Sequence, residues 1–283
     1  MDDTPNAERI HLYHSKGTFF EVQPDGTRVT KVVGDDYEIV VGDKKVLITG
    51  TMGNLGTKIR YHLEEQGGYD LVLMSRNPKG DAAITQADLS VYKDEWAVHF
   101  TDVDAVVHMA ADPSPGATWQ SLVKLNMDLL LNTFEAALAY GAKRFIFASS
   151  NHTMGGYKDQ DEVLKPDTPP HPGNPYGATK LMGERIGKNY AERHGLSFIS
   201  LRIGWTQSGE NHPGDHMGDW GKKMWLSNQD YCQVVEKAIL AKNVSFAVLN
   251  AMSNNSGMKW DLSETLRVLG YQPMDNAYAP EWK

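Results

Sequence analysis

The sequence predicts an α/β protein: a doubly wound parallel sheet, with a β-hairpin extension ahead of it and a small C-terminal substrate-binding part. Three observations predict this. From Lys44 onward, short β-branched runs alternate with stretches of helical periodicity; the first run enters a glycine-punctuated turn; two long polar loops break the alternation later. A length of 283 residues suits one large domain or two modest ones.

The elements follow in order. Residues 18–22 and 27–33, with Pro24-Asp25-Gly26 between them, predict two strands and a turn, and 37–41 is a candidate third strand. This assigns 1–43 to an N-terminal extension and 44–283 to the main domain. The main-sheet strands are predicted at 46–49, 71–74, 105–108, 145–148 and 198–201. Between them, Leu55, Ile59 and Leu63 recur at helical spacing, as do Leu122, Leu125, Leu129 and Leu130, and later Leu181, Ile186 and Tyr190. Residues 151–175 and 204–223 are rich in Gly, Pro and polar side chains. Long loops after strand ends of such a sheet border the ligand crevice, so substrate-binding segments are expected around 151–175 and 204–230.

Composition narrows the function. Hydrophobic residues make up 41% and charged residues 23%, the balance of a chain that buries a core. Lys plus Arg total 28 against 36 Asp plus Glu, a formal charge of −8, so a nucleic-acid partner is not expected. Cys232 is the single cysteine and can form no intrachain disulfide, which favours the cytoplasm. No apolar run approaches a bilayer's thickness and no signal peptide is read, so no membrane partner is expected either.

Val46-Leu47-Ile48-Thr49-Gly50-Thr51-Met52-Gly53-Asn54-Leu55-Gly56 reads as strand, turn and helix. Gly50 permits the tight turn, Gly53 lets backbone approach a pyrophosphate, and Gly56 lets the helix pack closely on the strand. The helix N-terminus offers free N–H groups to an anion. Gly50, Met52, Gly53, Asn54, Leu55 and Gly56 are therefore candidate dinucleotide ligands. At the end of the second strand an acid suits the ribose 2′-OH of NAD and an Arg the 2′-phosphate of NADP. Ser75-Arg76 stands there, so the cofactor is NADP or NAD with NADP favoured.

Tyr176-Gly177-Ala178-Thr179-Lys180 places a phenol and an ammonium at i and i+4 on one face of a helix beginning near Pro175. A phenol titrates near 10, and the adjacent Lys180 cation and the positive nicotinamide both favour the phenolate that proton abstraction requires. Phe147-Ala148-Ser149-Ser150 ends a strand at the same edge, where Ser150 is the expected catalytic hydroxyl and Ser149 its support. Asn126 is expected to hold a water or a backbone bend near the Lys, or to be a satisfied buried amide.

Together these features resemble the extended short-chain dehydrogenase/reductase family, over residues 44–276. The motifs that match are Thr49-Gly50-x-x-Gly53-x-x-Gly56, Asp88-Leu89, His108-Met109-Ala110-Ala111, Ser150 and Tyr176-x-x-x-Lys180. The resemblance implies a Rossmann-like domain, with Asp88, Leu89, Met109, Ala110, Ala111, Asn126, Tyr176 and Lys180 at the cofactor. Within the family, Phe147-Ala-Ser-Ser-Asn-His152, Asp112-Pro113-x-Pro115, Trp119, Arg202-Ile203-Gly204, Thr206-Gln207 and Met224-Trp225-Leu226-Ser227 resemble sugar 1-dehydrogenases acting on uronates or glucose 6-phosphate. The implied reaction oxidises the anomeric C1 hydroxyl to a lactone: Tyr176 takes the proton, Ser150 orients the oxygen, Lys180 holds the ribose, and Asn151, His152 and Thr206 contact a small-molecule sugar, with a buried, hydrogen-bonded loop anchor as the alternative for His152.

Two departures bear on the substrate. Those enzymes carry an acid where Ser75 stands, and uronate dehydrogenases use a loop arginine where 204–227 here has none, leaving Lys222 and Lys223 as its cations. Lys222 is the candidate for a substrate anion. An alternative within the family is a nucleotide-sugar epimerase or dehydratase; outside enzymes it is an NADP-holding sensor module. His212-Pro213-Gly214-Asp215-His216 carries metal-ligating types, but on a Gly/Pro loop, and no metal is expected. The family implies a homodimer formed by the helices carrying Leu129 and Ile186.

Overall fold

The computed structural model describes residues 10–13, 19–22, 28–31, 43–214 and 218–282. The chain divides into two compact units, Met1–Gly42 and Asp43–Lys283. In the first, strands β1 (Ile10–Tyr13), β2 (Phe19–Val22) and β3 (Arg28–Lys31) form an antiparallel sheet in the order β1-β2-β3. The expected strands at 18–22 and 27–33 correspond to β2 and β3, paired from Phe19↔Lys31 to Val22↔Arg28. β1 was not expected, because four residues are too few to show a period. The turn at 24–26 and the candidate strand at 37–41 lie outside the described residues.

The second unit carries a seven-stranded parallel sheet made of β4 (Lys44–Thr49), β5 (Tyr69–Ser75), β6 (Ile84–Gln86), β7 (Ala105–His108), β8 (Arg144–Ser150), β9 (Ser197–Ile203) and β10 (Phe246–Ala251). Their order is β10-β9-β8-β7-β4-β5-β6. The chain winds outward from β4 one way, then returns to β7 and winds the other. This is the Rossmann-like order, with its switch point between β4 and β7. The five expected strands are present. β6 and β10 complete the edges; β6 has only three residues and pairs only with the end of β5.

Alternate strand residues feed two cores. Val46, Ile48, Ile146, Ile199 and Leu201 pack with Ile59 and Leu63 of α1 (Asn54–Gln66) and with Val234, Val235 and Ala238 of α7 (Asn228–Leu240). Leu47, Val106, Phe145, Phe147 and Phe198 pack with Leu130 and Phe134 of α4 (Leu129–Ala139). Ile186 and Tyr190 of α5 (Pro175–His194) join that second core. Both faces are covered, which is why the strands read as near-continuous apolar runs. Leu129 is buried and Ile186 lies against this core, while Leu131 and Leu138 of α4 are exposed.

Three short helices complete the layers: α2 (Asp94–Ala97), α3 (Trp119–Leu122) and α6 (Gly218–Lys223). α8 (Ser263–Leu269) follows β10. Among the described residues, no helix is long and apolar enough to cross a membrane.

Candidate active site

The glycine turn lies at the switch point. Gly50 leaves β4 with φ +69°, and a Cβ there would stand 2.8 Å from the backbone of Ala110, at the end of β7. At Gly56 a Cβ would meet the Gly50 carbonyl at 2.1 Å, so the helix can sit this close to the turn only without a side chain. Gly53 caps α1 with no side-chain hydrogen bond, and no acid occupies the first turn. Those N–H groups and the positive end of the helix dipole suit a pyrophosphate, so the residues present fit a dinucleotide.

Around the turn, Met52 and Leu55 are half-buried, and Met109, Ala110 and Ala111 follow β7. Asn54 opens α1. Its amide donates to the Thr206 carbonyl at 2.9 Å and its oxygen accepts from Lys58 at 2.7 Å, so the side chain clasps the loop after β9. Ser75 ends β5 with its hydroxyl against the backbone of Asn77, and Arg76 is exposed beside it. Asp88 is exposed after β6, its carboxyl held below the usual range by Ser90 first, with Lys124 and Arg76 contributing. Leu89 is buried.

The chemical groups gather on α5 and the end of β8. Asn174 and Pro175 start the helix, which places Tyr176 in its first turn and Lys180 one turn on, both buried. The Ser150 hydroxyl favours the ionised form of the Tyr176 phenol, accepts from the His152 N–H at 3.2 Å and donates to Asn151 Oδ1 at 3.1 Å. Lys180 donates to the Ala148 carbonyl at 2.8 Å and lies 5.0 Å from the Phe147 ring centroid and 5.7 Å from that of Tyr176. The expected lowering of the phenol by Lys180 is not found. Burial pushes Tyr176 up to about 12, with Asp112 adding and Ser150 opposing, while burial drops Lys180 to about 8. Desolvation disfavours the charged form of each.

Glu184, one further turn along α5, accepts from the Ser149 hydroxyl at 2.7 Å and from Arg202 Nε and Nη2 at 3.0 and 2.9 Å. All three are buried behind Ser150. His108 is buried beside Thr49 at 3.1 Å, and burial, then Lys180, lowers it to about 3, so it is neutral.

The polar loop begins at once. Asn151 is buried with its amide on the Met224 sulfur, and His152 stands edge-on to Tyr176, with ring centroids 5.5 Å apart at 83°. Gly177 makes this approach feasible, since a Cβ there would lie 2.3 Å from the His152 carbonyl. Asn126 is a buried amide with its hydrogen bonds satisfied. It sits in a π-helical turn, Val123–Asp128, where its oxygen accepts the Asp112 N–H at 2.8 Å and its amide donates to the Asp112 carbonyl at 3.2 Å. Thr206 donates to the Leu226 carbonyl, and Lys222 lies on α6.

Sequence reasoning passed over Asn174, Gly177 and Glu184. Asn before Pro is a helix-start signal and could have been found; Glu184 shows its role only once Arg202 is brought opposite. Asp215 and His216 of the candidate metal loop lie outside the described residues. A cavity of about 830 Å³ lies elsewhere, bounded by Lys188, Phe246 and Arg267, and its lining includes Glu184 and Arg202.

A bare helix N-terminus meeting a buried phenol–ammonium pair at the switch point of a parallel sheet defines the class: nicotinamide-dependent enzymes of the α/β type. The chain belongs to the NAD dependent epimerase/dehydratase family, which it matches over residues 46–220. It is 33% identical to the NAD-dependent glucose-6-phosphate dehydrogenase of Haloferax volcanii, covering 83% of this chain and 95% of that one. It is 32% identical to the L-arabinose 1-dehydrogenase (NAD(P)(+)) of the same organism, covering 82% and 97%. Among solved structures, the uronate dehydrogenase of Agrobacterium tumefaciens, a Y136A mutant complexed with NAD, superposes with a TM-score of 0.71 at 30% identity, covering 83% and 86%.

Proposed function

We propose that this enzyme oxidises the anomeric C1 hydroxyl of a sugar to the lactone, with NAD(P)⁺ as oxidant. The observation that carries the reading is the joint burial of Ser150, Tyr176 and Lys180, with Lys180 on the Ala148 carbonyl, at the strand ends beside the glycine turn. Likeness to three sugar dehydrogenases over more than four-fifths of the chain supports the substrate class.

When bound, the nicotinamide supplies the acceptor for the hydride that leaves C1. Tyr176 accepts the hydroxyl proton in its phenolate form, which Lys180 and the positive charge of a bound cofactor would favour against the burial that otherwise keeps the phenol neutral. Ser150, able to donate to the phenolate or to the reacting oxygen, holds that oxygen in place. Lys180 keeps a positive charge beneath both. Burial excludes bulk water from the three groups. Asn151 and His152 read neighbouring sugar oxygens, and Thr206 and Lys222 line the approach. Gly50, Gly53 and Gly56 with Met52, Asn54 and Leu55 receive the pyrophosphate, and Met109–Ala111, Asp88 and Leu89 border the rest of the cofactor.

NADP is the favoured cofactor within this reading, because the exposed Arg76 guanidinium ends β5 next to the Ser75 hydroxyl, where a 2′-phosphate would lie. The test is reduction of NAD⁺ and NADP⁺, in parallel, with glucose 6-phosphate, glucose, galactose, arabinose, glucuronate and galacturonate. The expected result is reduced cofactor and lactone with at least one sugar, and a higher kcat/KM for NADP⁺. No reduction across the panel, with turnover of a nucleotide sugar in the absence of added cofactor, would assign the chain to the epimerases of its family instead.

A further inference from the structure

We propose that Asn174 is a positioning residue that holds His152 as its Nε2–H tautomer, so that the imidazole presents a hydrogen-bond donor to an oxygen of the sugar. The proposal rests on the reading that a sugar occupies this site.

The argument runs from obligate donors. Asn174 precedes Pro175, and its Oδ1 accepts the Gly177 N–H at 2.8 Å, capping α5. A backbone N–H can only donate, so the oxygen end of the amide is assigned. The nitrogen end is then the one that lies 2.9 Å from His152 Nδ1. An amide NH₂ also can only donate, so Nδ1 must accept and carries no proton. Burial lowers the pKa of His152 and keeps the ring neutral, which puts its single proton on Nε2. Among the described residues Nε2 has no hydrogen-bond partner. One side chain thus caps the helix that carries Tyr176 and Lys180, and orients the ring that stands edge-on to Tyr176.

The choice of Asn is specific to this double task. Ser, Thr or Asp would cap the helix equally well. Asp, however, would turn a second acceptor toward Nδ1 and draw the proton there. Asn174→Asp therefore keeps the cap, with a negative charge at the helix N-terminus, and reverses the tautomer. Asn174→Ser keeps the cap and removes the ring contact.

The test combines ¹⁵N NMR of the His152 ring, assigned by its loss in His152→Gln, with steady-state kinetics on both variants. The expected spectrum of the wild-type protein is the Nε2–H form at neutral pH, changing to Nδ1–H or to imidazolium in Asn174→Asp. The sugar KM is expected to rise by roughly 2- to 10-fold in both variants, the worth of one neutral hydrogen bond, with the cofactor KM unchanged. Three results would overturn the proposal: an Nδ1–H wild-type ring, a reversed tautomer with unchanged sugar KM, or a loss in Asn174→Ser that Asn174→Asp restores in full, which would leave only a helix cap. The spectrum needs no sugar. If the ring is Nε2–H and responds to both variants while no sugar reduces the cofactor, the proposed function fails and the tautomer assignment stands.

Discussion

Lys180→Met measures what the site costs the fold. The ammonium is 4% exposed, and burial lowers its pKa from 10.5 to about 8. At 1.36 kcal/mol per pKa unit, that shift corresponds to about 3 kcal/mol of destabilisation whenever the lysine is charged. The unfolded chain keeps this proton up to about pH 10.5, whereas the folded protein releases it near pH 8. Between those values the unfolded state binds more protons, so this group makes stability rise with pH. Below pH 8 the cost is felt in full; near pH 10.5 it is gone. Methionine carries no such dependence. Relative to wild type, Lys180→Met should therefore lose about 3 kcal/mol between pH 7 and pH 10.5, or about 6–12 °C in Tm for a domain of this size. The hydrogen bond to Ala148 and the contact with Phe147 fix the offset between the two proteins below pH 8, so the change with pH carries the test. Denaturant titrations at pH 7, 8.5, 9.5 and 10.5 give it directly. A difference constant to within about 0.5 kcal/mol across that range would refute the claim that a buried charge is being held here against its solvation.

Three further outcomes are expected. Tyr176→Phe should lower kcat by about 10²- to 10⁴-fold, the usual worth of a positioned general base, with cofactor binding by fluorescence titration nearly unchanged. Gly177→Ala places a methyl 2.3 Å from the His152 carbonyl and should cost about 1–3 kcal/mol by thermal melting, together with a fall in kcat as Tyr176 and His152 move apart. Arg202→Met leaves the buried Glu184 carboxylate without its bidentate partner and should cost about 3–5 kcal/mol, while the double variant Glu184→Met/Arg202→Met recovers most of that loss.

Much of the fold was legible because burial on both faces writes itself into the strands. Val46–Thr49 and Phe145–Ala148 read as apolar runs since helices cover each side, and Gly50 reads as a turn because its φ admits little else. The edges were less legible: β6 is short, and β10 was not among the expected strands. In the site, positions along the chain were easier to read than energies. Tyr176, Lys180 and Ser150 were found by spacing and do come together. The direction of the Tyr176 shift was not found, because the attraction between a phenolate and Lys180 is visible in the sequence whereas their shared desolvation appears only when both are enclosed. Asn54 shows the same limit: its place at the start of α1 was evident, but its bond to Thr206 spans 152 positions of chain.

The buried face of α5 shows why these groups form one unit. Tyr176, Lys180 and Glu184 recur at i, i+4 and i+8, so a single helix face carries an acid–base group, a cation and an anion into the interior. Each is answered by β8 or by a neighbour at its end: the Ser150 hydroxyl, the Ala148 carbonyl and the Ser149 hydroxyl with Arg202. Three polar groups on one buried stripe would expel the helix from the core if any were left unmatched. The registration of α5 on the sheet that satisfies Glu184 is therefore the same registration that brings Tyr176 to Ser150. A helix displaced by one residue would lose the Glu184–Arg202 pair and the approach of Tyr176 to Ser150 together, so the buried ion pair, costly as it is to enclose, specifies the geometry that the proposed proton transfer needs.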